Sequence, residues 1–196
     1  MLFNKEFEIF IPYMPYIQLT LDKIVFDPLV QTFCNNSKFR CPNYGHSWGC
    51  PPEAPYLEKE LAKYEKFFLI YYEFNLNNYI TKIQERHPRR SKQKILRSFY
   101  RKTYMRDHLE KEVYKFLEEF NGHYDDELIL WDGPCRLCYK ENLRCTHDET
   151  KPCRYEPRYS MEAVGINVDK TVKNVNLEME WPPTHHAYRF GLICFK

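Results

Sequence analysis

Residues 126–138 read DELILWDGPCRLC. The first half, Asp126 to Trp131, is a short apolar run of β-favouring residues between polar flanks, the signature of a buried strand. The second half turns through Asp132-Gly133-Pro134 and presents Cys135 and Cys138 as a CxxC pair. A strand that runs straight into a thiol-bearing turn puts those thiols at its carboxyl end, where ligands collect in parallel α/β sheets.

Working upstream, Ser91 is placed to cap a long helix ending near Asn121, with Gly122 at the C′ position. Ile95, Phe99, Met105, Leu109, Val113, Phe116, Leu117 and Phe120 recur as its apolar face, and Arg97, Arg101, Lys102 and Arg106 enrich the opposite side of its first half. Residues 75–90 read as a polar crossover. Before them lie a buried strand over 67–74, FFLIYYEF, and a helix over 55–65. Strand, long helix, strand predicts a βαβ crossover with a parallel pair. Downstream, Ser160 is a cap for a short helix stopped at Gly165, VDKTVKNVNLEM is helical, and AYRFGLICF is a third strand. At the start, Pro12 and Pro15 break an aromatic stretch into edge strands or an extended arm. Asp27-Pro28 then favours a turn or short helix over 28–33 that delivers Cys34.

These elements predict an α+β fold, or a small α/β one, with a mixed sheet of three to five strands and a long helix. The length of 196 residues suits one metal-binding domain over 1–196, with cysteine loops at 34–52 and 133–160 gathered at one end. A formal charge of +2 sets up no global field for nucleic acid or an anionic membrane, so nucleic acid is not expected as a partner. No stretch approaches the ~20 apolar residues of a membrane span, and the first residues do not read as a secretory signal. A cytoplasmic location is expected, and there eight cysteines read as metal ligands in preference to disulfides.

Cys135, Cys138, Cys145 and Cys153 supply four thiolates on one irregular loop. Such a set suits an iron–sulfur cluster, because loop backbone can donate N–H groups to the sulfides. Zinc competes, although four-cysteine zinc sites usually show two paired knuckles and this loop has one CxxC. Cys34, Cys41 and Cys50 lie in a stretch dense in Pro and Gly and are one ligand short. Cys194, His46, His147 or a member of the four-cysteine loop are candidates for the fourth place; otherwise one iron stays open and can bind substrate. Cys194 itself shares strand parity with Tyr188, Phe190 and Leu192 and reads as a core thiol. Tyr44, Trp48, Tyr139 and Tyr155 flank the ligand cysteines as shields against water, and His185-His186 read as part of a turn after Pro182-Pro183.

The segments Cys41-Pro-Asn-Tyr44-Gly45, Trp48-Gly-Cys50-Pro51-Pro52, Gly133-Pro134-Cys135-Arg136-Leu137-Cys138, Pro152-Cys153-Arg154 and Ser160-Met161-Glu162-Ala163 with Gly165-Ile166 resemble, in this order, the family called domain of unknown function 2284. The resemblance implies a cysteine-ligated metal, a [4Fe–4S] cluster by expectation, and no particular reaction. Tyr159 stands where it implies proline and Asn167 where it implies aspartate; Cys138 and Cys145 are farther apart than it implies. Neither Tyr159 nor Asn167 removes a ligand, and the wider spacing leaves the partnership of Cys145 open.

Three functions are consistent with the residues. The leading expectation is one or two clusters, [4Fe–4S], passing electrons to or from a partner protein that docks on the basic half of the long helix. The second is an enzyme with an open iron at Cys34, Cys41 and Cys50. The third is a structural zinc module.

Overall fold

The computed structural model describes residues 15–37, 39–99, 104–180 and 182–196. In chain order, β1 (Tyr16–Leu19) leads through a 3-10 turn to a second 3-10 helix, Pro28–Cys34, and to a small hairpin, β2 (Asn35–Asn36) and β3 (Phe39–Arg40). Helix α1 (Glu58–Leu61) precedes β4 (Lys66–Asn75), and three helices follow: α2 (Leu76–Arg86), α3 (Lys92–Phe99) and α4 (Tyr104–Glu119). β5 (Glu127–Leu130) feeds the second cysteine loop, which carries α5 (Leu137–Lys140); α6 (Val168–Asn174) and β6 (His186–Phe195) close the chain.

The fold is α+β, with a four-stranded sheet in the order β1-β4-β6-β5. Its three ladders are antiparallel, and the longest joins β4 to β6 along their full ten residues. This corrects the expected parallel pair. β4 and β5 do run in the same direction, but β6 lies between them and pairs with both. The reason lies in β6: Phe190, Leu192 and Cys194 point to one face, Ile193 and Phe195 to the other, and a strand apolar on both sides is most stable in the sheet interior. β4 obeys the same rule, with Phe67 and Leu69 on one side and Phe68 and Ile70 on the other. The four-residue strands β1 and β5 take the edges.

Helix α4 covers one face through Leu109 and Val113, and the segment with Met161, Val164, Ile166 and Val172 covers the other. The Ser160 hydroxyl accepts from Ala163 N at 3.1 Å, as a cap should, and Gly165 ends the turn in the left-handed region at φ 93°. Residues 75–90, read as a crossover, contain α2: Asn75 Oδ1 accepts from Asn78 N, and Leu76, Ile80 and Ile83 form a buried stripe at helical spacing. The expected long helix is described as α3 and α4, with 100–103 outside the described residues. Its apolar stripe is shared between two cores, since Ile95, Phe99 and Met105 pack with α2 and Ala187, and Leu109 and Val113 pack on the sheet. Pro12 and the opening arm to residue 14 also lie outside the described residues.

Candidate metal centre

The first cysteine loop is held by its own backbone. The 3-10 helix ends at Cys34, whose carbonyl accepts from Cys41 N at 2.8 Å across the β2–β3 hairpin. Cys41 O then accepts from Tyr44 N, Gly45 N donates to Pro51 O, and Glu53 N and Ala54 N both donate to Cys50 O at 3.0 Å. Gln31 ties this loop to the segment after Ser160, donating to Ala54 O at 3.0 Å and to Ala163 O at 2.7 Å.

The second loop leaves β5 at Trp131, whose N–H donates to Tyr159 O at 2.7 Å, so the outgoing and returning chains run side by side. Cys138 sits buried in α5, and its carbonyl accepts from Glu141 N and Leu143 N. Arg154 donates to Arg144 O at 2.8 Å and approaches Cys138 Sγ at 3.7 Å.

The two loops interlock. Trp48 Nε1 donates to Thr146 Oγ1 at 3.3 Å, and the Trp48 ring meets the His147 ring edge-on with centroids 4.9 Å apart. His46 Nδ1 lies 2.8 Å from Asp148 Oδ1, and His147 Nε2 lies 3.3 Å from Glu53 Oε1. Gly49 is pressed against the second loop: a Cβ placed on it would stand 2.5 Å from Arg158 O and 3.0 Å from Cys135 Cβ. Only glycine fits that approach without displacement.

This proximity is visible in the thiols. Burial raises Cys50 to about 11 against a Ser47 hydrogen bond, and Cys41, Cys34 and Cys135 add to the rise. Burial also raises Cys153, with Cys135, Cys145 and Cys138 as the thiols that contribute. Cys34 is raised by burial and then by Cys41. Thiols gathered so that each opposes the ionisation of its neighbours are in an arrangement that a bound cation relieves. Among the described residues, no three or more His, Cys, Asp or Glu side chains are set to hold a single metal ion.

The model of the family described as predicted metal-binding protein (DUF2284) matches residues 18–195. The chain belongs to that family. No curated protein and no solved structure matches it. The DUF2284 match spans both cysteine loops and the whole described sheet beyond the first residues of β1.

Within this DUF2284 chain, Cys194 is fully buried in the sheet core, where burial pushes its thiol far up; it behaves as the core thiol its strand parity implied. The His46 ring is occupied by Asp148, and His185 and His186 face Glu180 and Glu73. Tyr139 does not shield thiols: it is 75% exposed. A tyrosine in a short surface helix beside a buried Cys138 turns outward because successive helical residues point to different sides. Arg106, expected on a docking face, turns inward to Asp132 at 3.0 Å, and Arg189 joins the same carboxylate at 3.3 Å. Arg101 and Lys102 lie outside the described residues.

The second loop is held in place by a carboxylate that no sequence motif marks. Glu110 of α4 is buried and meets Arg136, Lys140 and Arg158. Burial works to raise its carboxyl, but hydrogen bonds from Lys140 and Arg158 outweigh it and leave it below the ordinary range. An acid among cations at long sequence separation leaves no local signature. The one available signal was the density of Arg and Lys beside the cysteines.

Proposed function

We propose that this DUF2284 protein is an iron–sulfur protein that exchanges electrons with an acidic partner protein. The observation that carries the reading is the meeting of the two cysteine loops at Gly49 and Cys135, with Cys41, Cys34 and Cys135 acting on the Cys50 thiol and Cys135, Cys145 and Cys138 on that of Cys153. Thiolates on one zinc lie about 3.8 Å apart, as tetrahedral bonds of 2.3 Å require. A cubane cluster bonds each thiolate to a different iron and spreads them more widely, and one CxxC pair among irregular spacings suits that better than the paired knuckles of a zinc site. All eight cysteines are free of disulfides, in keeping with a reducing, cytoplasmic setting. No helix among the described residues is long and apolar enough to cross a membrane.

The docking face is the α2–α3 pair, which keeps Arg97 of the expected basic half and does without Arg106. Lys82, Arg86, Arg89, Lys92, Lys94 and Arg97 are exposed there, and none forms an ion pair among the described residues. The hairpin follows the carboxyl end of β4 at Asn75, and the Cys135 loop leaves the co-directional β5 at Leu130, level with Leu69 of β4, so both leave the sheet in the same direction. An unpaired cationic surface beside a redox centre steers an acidic partner toward it.

Anaerobic reconstitution with iron and sulfide, followed by EPR and redox titration, tests the reading. A reversible low-potential signal is expected. A chain that takes up zinc alone and shows no reversible redox signal overturns it.

A further inference from the structure

We propose that Arg154 raises the reduction potential of the metal centre through a charge-assisted hydrogen bond to the Cys138 sulfur. The proposal rests on the iron–sulfur reading with Cys138 as a ligand. It gives Arg154 a role that acts through that ligand and needs no assignment of the other thiols.

The contact is built from both sides. Cys138 is buried in α5, and its carbonyl is taken by Glu141 N and Leu143 N. Arg154, 16 positions later, brings Nη1 to 3.7 Å from Cys138 Sγ, and the same nitrogen donates to Arg144 O at 2.8 Å. A terminal guanidinium nitrogen carries two protons, so one can be anchored on the carbonyl while the other is aimed at the sulfur. The next residue fixes the backbone: Tyr155 Oη donates to Glu141 Oε2 at 2.6 Å and ties the returning chain to the end of α5. Together these contacts hold the guanidinium at the sulfur.

A neutral thiol is a weak acceptor and gains little from such a donor. A thiolate bound to iron carries negative charge, which a cationic N–H stabilises far more strongly. The placement of Arg154 therefore suits Cys138 as a metal-bound thiolate. In the first loop Asn43 Nδ2 makes the corresponding approach to Cys41 Sγ at 3.8 Å, without a charge.

The consequence is a shift in potential. Reduction adds one electron, supplied by the acidic partner protein, and every iron–sulfur bond stays in place. Part of the added charge falls on the ligand sulfurs, where Arg154 stabilises it. The reduced form gains more from the cation than the oxidised form does, so the midpoint rises. Hydrogen bonds to sulfur and local charge are two of the levers that set such potentials, and Arg154 applies both at one atom. Its side chain is exposed, so solvent and salt screen part of the field and keep the effect moderate.

The test uses the full chain, reconstituted with iron and sulfide without oxygen and titrated with dithionite while the reduced EPR signal is followed. Cys138→Ser identifies the signal that depends on Cys138. Arg154→Met keeps the length of the side chain but removes its charge and its donor. The equilibrium of that signal should move about tenfold toward the oxidised form, a midpoint lower by ~59 mV for one electron, with iron content unchanged. Arg154→Lys keeps the charge without the planar fork and should recover about half of the shift. Arg154→Gln keeps a neutral donor and should fall between Arg154→Met and wild type. A clasp that only holds the loop together would lower the melting temperature or the iron content and leave the midpoint where it was. An unchanged midpoint in the iron-loaded Arg154→Met chain overturns the proposal, as does Arg154→Lys with a midpoint as low as that of Arg154→Met. Where Arg154→Met does not fold, an unchanged midpoint in Arg154→Gln overturns it instead. A Cys138→Ser chain with every signal intact also overturns it. If the wild-type chain takes up no iron, the iron–sulfur reading itself has failed, a result seen before any variant is made.

Discussion

Gly49 and Cys135, 86 positions apart in the chain, are in direct contact, and a single added Cβ at Gly49 would stand 3.0 Å from Cys135 Cβ and 2.5 Å from the Arg158 carbonyl. The apposition of the two cysteine loops thus depends on the absence of one methyl group.

Gly49→Ala is expected to force the loops apart, because a backbone carbonyl cannot rotate out of the way as a flexible side chain can. Overpacking of this kind costs about 1–3 kcal/mol. Thermal unfolding of the metal-free chain should shift down by roughly 3–9 °C, and iron retained after reconstitution should fall. An unchanged melting temperature with full iron content would mean that the loops do not need this contact.

Cys194→Ser separates a core thiol from a ligand. Cys194 is fully buried opposite Phe67 and Leu128 on neighbouring strands. A hydroxyl there enters an apolar cluster and should destabilise the chain by about 1–3 kcal/mol. Iron content should not change. Loss of iron with stability intact would make Cys194 a ligand.

Glu110→Gln removes the anion that three cations share and should cost about 2–4 kcal/mol at neutral pH. The Glu110 carboxyl is held below its ordinary value by Lys140 and Arg158 against the effect of burial. A depressed carboxylate stabilises the fold fully above its unfolded pKa, and that stabilisation fades as pH falls through the folded value. The gap between wild type and variant, followed by denaturant unfolding, should therefore be constant from pH 7 to about 5 and shrink below about 4.5. A gap that widens on acidification would contradict this account.

Arg86→Glu/Arg89→Glu/Lys94→Glu alters an exposed surface that carries no ion pair among the described residues and should change stability by no more than about 0.5 kcal/mol per site. Stopped-flow electron transfer to an acidic ferredoxin at low ionic strength should slow by about tenfold or more, with the wild-type rate falling toward the variant's as salt is added. Equal rates at low salt would remove the hairpin from the docking surface.

The residues that were legible alone are those governed by short-range periodicity. The apolar run at 67–74, the DELILW strand, the C-terminal strand and the Ser160-to-Gly165 turn are all present, because alternation, capping and left-handed glycine act within a few residues. Helix α2 was obscured by polar residues around Leu76, Ile80 and Ile83, whose stripe gains meaning only from the α3 residues it packs against. The inward turn of Arg106 depends on Asp132, 26 positions away, and no local pattern announces it.

The sequence by itself determined the two irregular cysteine loops, the family and the α+β class. Each follows from residue chemistry or from near-neighbour spacing. Only the tertiary structure decided that β6 inserts between β4 and β5, and that Cys135 lies against the first cysteine loop as well as its own. The physical reason is the same for both. Strand pairing and loop apposition are set by which distant apolar faces and polar groups find one another, and contacts between residues this far apart in the chain leave no trace in the spacing of the residues that make them.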